Sequence, residues 1–141
     1  REGEALKPLL LDRMQTIEDI LKAVAKEVPR IRQQARENLL LQFNKLSLSL
    51  DPHRLEQEMV LFAQKIDVTE EIERLGVHLL EMKRILKAGG LIGRRLDFLL
   101  QELNREANTL GSKSLNTAVT HASVELKVLI EQIREQIQNI A

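Results

Sequence analysis

The chain has 141 residues, 43% of them hydrophobic and 30% charged, and its 21 basic side chains balance its 21 acidic ones. This length and composition suit one domain with a real core and argue against intrinsic disorder. Zero net charge and an aromatic content of three Phe exclude a broadly basic or aromatic nucleic-acid surface, so any RNA contact must be local. The absence of cysteine excludes disulfides and thiolate chemistry.

The first segment predicts one long helix, from about Glu4 to Leu46. Its predicted buried stripe advances in alternating steps of four and three, which is the pattern of a coiled-coil seam. The residues of this stripe are Leu6, Leu10, Arg13, Ile17, Ile20 and Val24. Pro29 removes one backbone hydrogen bond, but the apolar phase continues past it, which favours one kinked helix over two. Such a helix would be roughly 60 Å long. We therefore predict a helical arm in residues 1–50 and a helical body in residues 51–141.

Four further helices are predicted in the body, and no stretch shows the period-two alternation of a strand. The predicted start signals are Asp51-Pro52, a capping box of Asp67 with Glu70, and a cap from Asn116 or Ser114. The predicted end signals are Gly89-Gly90 for the third helix and Gly111 for the fourth. The fold class is therefore all-α. The start without Met, already in helical phase, indicates a piece of a longer protein, and the long arm indicates an oligomer. No apolar run approaches the ~20 residues of a membrane span, so no membrane partner is expected.

The fourth helix carries an unusual polar face opposite its leucines. The residues that share this face are Arg94, Asp97, Phe98, Gln101, Asn104, Arg105 and Asn108. Asn and Asp are poor helix formers, so something other than helix stability selected them. Two interpretations stay open: a ligand site, since arginine forks and amides suit phosphate or base edges, and a polar seam whose groups satisfy one another. The next four residues, 111–114, are predicted to be a loop that either holds a phosphate beside a helix N-terminus or simply connects two helices.

The third helix contains a possible pair of metal ligands. His78 and Glu81 are spaced i and i+3, as in the Glu-x-x-His pairs of metal-binding bundles, in reverse order. One such pair cannot make a site, and Asp97, Glu102 and Glu106 are the candidates for further carboxylates. The alternative is an ordinary surface histidine among charged neighbours.

Three stretches of the chain resemble one family. They are KxDxxEExxRLxxHL at residues 65–79, GGxxGRRLDFLLQExxRExNTxxSK at residues 89–113, and VELKxxIEQIREQxQN at residues 124–139. Together they look like the C-terminal half of the bacterial YicC-like endoribonucleases. The resemblance implies a cytoplasmic enzyme that cleaves RNA, depends on a divalent metal such as Mg or Mn, and assembles as a homohexamer around an RNA-binding interior.

Specific residues can be proposed for these roles. The candidates for catalysis are Asp97, Glu102, Glu106 and His78. The candidates for RNA binding are Arg94, Arg95, Gln101, Arg105, Asn108 and Lys113. The candidates for metal binding are Glu71, His78, Asp97 and Glu102.

The chemistry implied by the resemblance is phosphodiester cleavage. Carboxylates would hold a metal that activates water while arginines clamp the phosphate. The chemical alternative is metal-free cleavage through the ribose 2′-hydroxyl with His78 as base. Two other functions also stay open, a non-catalytic RNA-binding adaptor and a structural oligomerisation module.

Overall fold

The computed structural model describes residues 2–45, 51–89, 93–114 and 116–140. All regular secondary structure within these ranges is helical, which confirms the all-α prediction. The helices are α1 (Glu2–Lys45), α2 (Pro52–Ile66), α3 (Thr69–Lys87), α4 (Arg94–Lys113) and α5 (Thr117–Ile140). None of these described helices is both long and apolar enough to cross a lipid bilayer.

Helices α1, α3, α4 and α5 form a four-helix bundle. Each helix packs on two neighbours, because α1 and α4 each contact both α3 and α5. The core is built almost wholly from aliphatic side chains, which alternate in the three-four spacing that places them on one face of each helix. The most deeply buried of them are Leu10, Met14, Ile17, Leu75, Leu79, Met82, Leu86, Leu96, Leu99, Leu103, Leu110 and Leu126.

Helix α1 runs without interruption through Pro8 and Pro29 and extends over 44 residues, about 66 Å at the standard rise. Its buried stripe is Leu10, Met14, Ile17, Leu21 and Val24. The predicted stripe included Arg13 instead of Met14, and in the structure Arg13 is half-buried and donates hydrogen bonds to Gln132 and Gln136 of α5. The first half of α1 is therefore part of the bundle.

The second half of α1 has a different partner. Residues 29–45 of α1 pack with α2, and we call this pair the helical extension. Met59 is the one fully buried residue of α2. The extension is joined to the start of α3 by Arg32, whose guanidinium lies 2.7 Å from the Asp67 carboxylate and 2.6 Å from the Thr69 hydroxyl. The packing partner of α1 therefore changes from the bundle to α2 near residue 29, whereas the sequence predicts the end of the helical arm at residue 50. The division of the chain into domains stays a prediction.

The helix ends show which of the predicted start and end signals are present in the structure. The Asn116 Oδ1 accepts hydrogen bonds from the backbone N–H groups of Ala118 and Val119, which confirms the predicted cap of α5. Helix α3 ends before Gly89, whose φ of +90° suits a residue without a Cβ; Gly90 lies outside the described residues. Asp67 accepts hydrogen bonds from the N–H and hydroxyl of Thr69, so the predicted capping box with Glu70 is wrong.

Gly111 does not end α4, and the predicted loop at residues 111–114 is wrong for its first three residues, because the helix continues to Lys113. A Cβ at Gly111 would lie 2.7 Å from the Ser123 Oγ of α5. The glycine therefore permits close packing of α4 on α5 instead of terminating the helix.

Candidate functional site

Three ion pairs cross from α3 to α4 along one line, which we call the charged seam. They join Glu81 to Arg95 at 4.0 Å, Arg74 to Glu106 at 3.6 Å, and Glu71 to Lys113 at 2.9 Å. The residue numbers fall on α3 as they rise on α4, so the two helices run antiparallel. The paired residues are spaced by three and seven positions on α3 and by eleven and seven on α4, close to whole helical turns, which places them on one edge of the apolar core.

The middle of the charged seam is a buried carboxylate between two exposed arginines. The Glu106 side chain is 3% exposed and lies 3.6 Å from the Arg74 guanidinium and 3.7 Å from that of Arg105. Arg74 and Arg105 are 49% and 67% exposed, and each is held by a second carboxylate on its own helix, Glu70 and Glu102. The pKa of Arg105 is raised, first by its hydrogen bond with Glu102. Hydrogen bonds to Glu70 and Glu102 thus orient two guanidinium groups at the surface, and the buried Glu106 carboxylate lies at ion-pair distance from both.

Glu71 is a second buried carboxylate, at the other end of the same line. Its Oε2 accepts a contact from the Lys113 ammonium, and that ammonium also donates a hydrogen bond to the Asp67 backbone carbonyl at 3.2 Å. The Glu71 Oε1 and the Glu106 Oε2 are buried without a hydrogen-bond partner among the described residues. Buried polar atoms are normally satisfied, so spare acceptors in one seam mark it as more than a packing interface.

His78 and Glu102 lie between these ion pairs. One turn along each antiparallel helix leads from Arg74 to His78 and from Glu106 to Glu102. Both side chains are half-buried, and Glu102 accepts two hydrogen bonds from Arg105. The two residues therefore occupy corresponding positions next to the paired arginines.

The far end of the seam combines charge with an aromatic ring. Arg95 lies over the Phe98 ring at 5.4 Å from its centroid, within range of a cation–π contact. Glu81 faces both Arg95 and Arg84, and the hydrogen bond from Arg84 is the main reason that the pKa of Glu81 is lowered. Arg95 and Phe98 are both exposed.

Asp97 and Gln101 face the other side of α4. With Asn104 they line a groove of about 460 Å³ whose other wall is α5, including Arg134 and Gln138. The Asp97 carboxylate contributes to raising the pKa of Arg134, although the main cause is the hydrogen bond to Glu131. The polar face predicted for α4 is thus divided between two sides of the helix.

The predicted RNA-binding residues are mostly accessible. Arg94, Arg95, Gln101, Arg105 and Asn108 are exposed, and Lys113 is half-buried against Glu71. Because these side chains are exposed, the polar face of α4 is not buried between helices in the described part of the chain, as the alternative to a ligand site would require. Arg74 is not among the predicted binding residues, although it stands in the motif at residues 65–79. Its contact with Glu106, 32 positions away, is visible only in the structure.

The four predicted metal ligands do not lie together. Glu71 contacts Lys113, which is 16 residues or about 24 Å along α4 from Asp97, and Asp97 faces α5. No group of three or more His, Asp or Glu side chains in the described ranges has the geometry of a metal site. These residues therefore do not fit one set of metal ligands.

The family model described as "Endoribonuclease YicC-like, C-terminal" matches residues 24–141. The chain belongs to this family. It is 54% identical over 140 residues to the probable endoribonuclease YicC of Haemophilus influenzae, and 38% identical over 142 residues to the protein of the same name from Clostridioides difficile. These alignments cover 99% of the chain but 49% and 48% of the relatives, so the chain spans about half the length of the curated relatives it matches.

The membership confirms the resemblance of residues 65–139 to YicC-like proteins, because the match includes all three motifs. The matched residues, 24–141, include the charged seam and the whole helical extension. The roles of individual residues stay predictions.

Proposed function

We propose that this chain is the C-terminal part of an endoribonuclease and that its charged seam binds the RNA backbone. The observation that carries the proposal is the pair of exposed arginines that flank buried Glu106, each hydrogen-bonded to a carboxylate of its own helix. Guanidinium groups form forked, charge-assisted hydrogen bonds with phosphate oxygens. Because Glu70 and Glu102 already orient the two arginines, with the Glu106 charge between them, less side-chain entropy is lost on binding.

Arg74 and Arg105 would act on the scissile phosphate. Their N–H donors stabilise negative charge that grows on the phosphate oxygens as the new P–O bond forms. Glu106 is a positioning residue in this scheme, because its burial keeps it from the substrate. Glu102 and His78 are the nearest groups with partial access to solvent.

His78 is proposed as the base in a cleavage through the ribose 2′-hydroxyl. The 2′-oxygen would attack phosphorus as His78 takes its proton, the P–O5′ bond would break, and the 5′-oxygen would take up a proton. The products would be a 2′,3′-cyclic phosphate and a 5′-hydroxyl. A water nucleophile would instead leave one linear phosphate end, so the chemistry of the ends distinguishes the two routes.

Cleavage that depends on Mg or Mn is the alternative to the His78 route. If the metal-dependent route operates, cleavage by the full-length protein stops in a chelator and returns when the cation is added. Cleavage that continues unchanged in the chelator would contradict the metal-dependent route and leave the His78 route standing.

The decisive experiment tests the arginine pair in the full-length protein. We expect the double variant Arg74→Ala/Arg105→Ala to reduce cleavage of a labelled single-stranded RNA by about 100-fold or more, and to lower the salt slope of binding by about 0.7 for each lost phosphate contact. The matched control is Arg84→Ala, which removes an equally exposed arginine from an ion pair within α3. Equal activities for the double variant and the control would contradict the proposal.

Two further measurements complete that experiment: the chemistry of the product ends, and the cleavage activity of highly purified protein. Highly purified wild-type protein should cleave, and His78→Ala should remove cleavage while RNA binding persists. Binding without cleavage in every preparation would favour a non-catalytic RNA-binding adaptor.

Subunit assembly is a second candidate function, and exposed apolar side chains favour it. Val77 and Leu80 of α3 are 65% and 67% exposed, and they share one outward face. A cytoplasmic homohexamer is the proposed assembly. Val77→Lys/Leu80→Lys should lower the mass measured by light scattering, whereas Glu73→Lys, on the same face, should not. An unchanged mass in the double variant would exclude this face from the assembly contact.

A further inference from the structure

A second polar groove lies where the helical extension meets the bundle. It has a volume of about 390 Å³ and receives side chains from α1, α2 and α5. Four carboxamides line it, from Gln34, Asn38 and Gln42 of α1 and Asn116 of α5, together with Phe62 of α2. No lysine, arginine, aspartate or glutamate is among its lining residues. We call it the amide groove.

The three carboxamides of α1 form a straight row. They are spaced i, i+4 and i+8, so successive groups stand about 6 Å apart on one face of the helix. Their side chains make no hydrogen bond within the described residues, whereas neighbouring Gln33 donates to Glu37 at 3.1 Å. The row therefore keeps its donors and acceptors available for a ligand.

The rest of the groove is apolar. Ile31 and Leu39 lie along α1 beside the amide row, and the half-buried Phe62 ring faces them from α2. A flat, uncharged ligand with hydrogen-bonding edges matches this combination. A phosphate or carboxylate does not, because nothing in the lining neutralises its charge.

The charge around the groove favours a ligand attached to a polyanion. Residues 30–45 of α1 carry four basic side chains and one acidic one, although the whole chain has no net charge. Arg30 and Arg32 are paired with Glu27 and Asp67, so the excess near the groove comes from Arg36 and Lys45. Arg36 has no ion-pair partner in the part of the chain that the structure describes, and it lies on the neighbouring face of the same helix. Such a local excess attracts phosphodiester chains, while the groove itself has no charge.

We propose that the amide groove binds an unpaired nucleobase of the RNA, and this inference rests on the proposed function in taking RNA as the ligand. Carboxamides pair with base edges by donating and accepting at once, and single-stranded RNA is recognised by such contacts together with packing on apolar or aromatic side chains. In this arrangement the amide groove contacts a nucleobase while the charged seam contacts the phosphate backbone of the same RNA.

The test compares RNA with and without bases. Binding of the full-length protein is measured with a 2′-O-methyl single strand of mixed sequence and with an abasic strand of equal length, so that cleavage is not required. Gln34→Ala/Asn38→Ala should weaken binding of the base-containing strand by about tenfold. It should leave the salt slope and the abasic strand unchanged, because no phosphate contact is lost. Gln33→Ala, one position along the helix, is the matched control and should bind as wild type.

Several outcomes would overturn the inference. They are unchanged binding by the double variant, an equal loss for both strands, and a changed mass in solution with RNA binding intact, which would mean that the groove binds protein. A protein that binds in this base-dependent way but never cleaves RNA would contradict the proposed function and leave the amide groove assignment standing.

A cross-link provides a measurement that needs no variant. RNA containing 5-iodouridine, irradiated in complex with the wild-type protein, should yield an adduct on Phe62 or on the peptide that contains residues 34–42. Adducts confined to peptides of α3 and α4 would contradict a base in the amide groove.

Discussion

The charged seam and the amide groove use opposite kinds of polar group. The seam pairs full charges across α3 and α4 and buries two carboxylates. The groove presents three carboxamides of α1 that have no hydrogen-bond partner among the described residues, and no charged side chain in its described lining. The seam lies on a bundle whose core side chains are almost completely buried; the groove is framed by the extension, where Met59 is the one fully buried residue of α2. The bundle is therefore the more tightly packed region, which is compatible with the fixed phosphate contacts proposed for the seam, and the proposed base site lies in the more lightly packed region.

The largest expected effect tests this difference in packing. Leu103→Ala removes a completely buried side chain of α4 and should lower the free energy of unfolding by about 3–5 kcal/mol, as expected for a cavity in a tight core. Met59→Ala in the extension should cost about 1–2 kcal/mol, because its neighbours are partly exposed and can close around the gap. Urea denaturation of the 141-residue chain measures both. Equal losses would remove the distinction between a rigid bundle and a softer extension.

The next effect concerns the buried charges of the seam. Lys113→Met leaves the Glu71 carboxylate buried without its cation and should destabilise the chain by about 2–3 kcal/mol. Adding Glu71→Gln should restore much of this loss, since a neutral amide needs no counter-charge. Asn38→Leu, the comparable change in the amide groove, should stay within about 0.5 kcal/mol of wild type. The measurement is a double-mutant cycle in urea, and independent, additive losses at Glu71 and Lys113 would exclude coupling.

A smaller effect tests the close contact between α4 and α5. Gly111→Ala forces Ser123 from its position, where its hydroxyl donates to the Thr120 carbonyl at 2.9 Å, and should cost about 1 kcal/mol. Gly76→Ala has no atom within 4 Å and should stabilise α3 by about 0.5–1 kcal/mol. Thermal unfolding of the two variants checks the opposite signs. The cost at Gly111 should shrink in a Ser123→Ala background.

The smallest effect lies at the joint between the extension and the bundle. The hydrogen bond from Thr69, with help from Arg32, lowers the pKa of Asp67 to about 2. A lowered carboxyl pKa stabilises the folded chain above the unfolded value near 4, and this stability is lost as the pH falls from about 4 to 2. Because the side chain is 43% exposed, screening reduces the contribution to about 1 kcal/mol. Asp67→Asn should remove this part of the acid dependence, measured as the difference in unfolding free energy between pH 5 and pH 2.

Much of the local structure follows from short-range signals. The apolar period places the helices, Asn116 caps α5, and the leucines of α4 lie on the buried face that their spacing predicts. These features depend on residues within one or two turns, which a single sequence contains. The prediction at Gly111 is wrong because a glycine also serves close packing, and the side chain that requires it, Ser123, lies on another helix.

The candidate site is only partly predictable for the same reason. The sequence indicates that the polar residues of α4 are special, and the structure shows them exposed on two sides of the helix. The sequence does not indicate that Arg74 and Arg105 lie beside the same buried carboxylate, because that contact depends on the register between α3 and α4. The predicted metal set has the right residue types, but about 24 Å of helix separates two of its members.

The sequence by itself determined that this chain is helical, where most helices begin and end, and which family it belongs to. Each of these depends on local spacing or on a motif that can be compared residue by residue. Only the tertiary structure decided that the first half of α1 enters the bundle, that two arginines converge on Glu106, and that carboxamides from α1 and α5 share one groove. The physical reason is that such contacts arise from packing between helices distant in the chain, which the period of one helix does not encode.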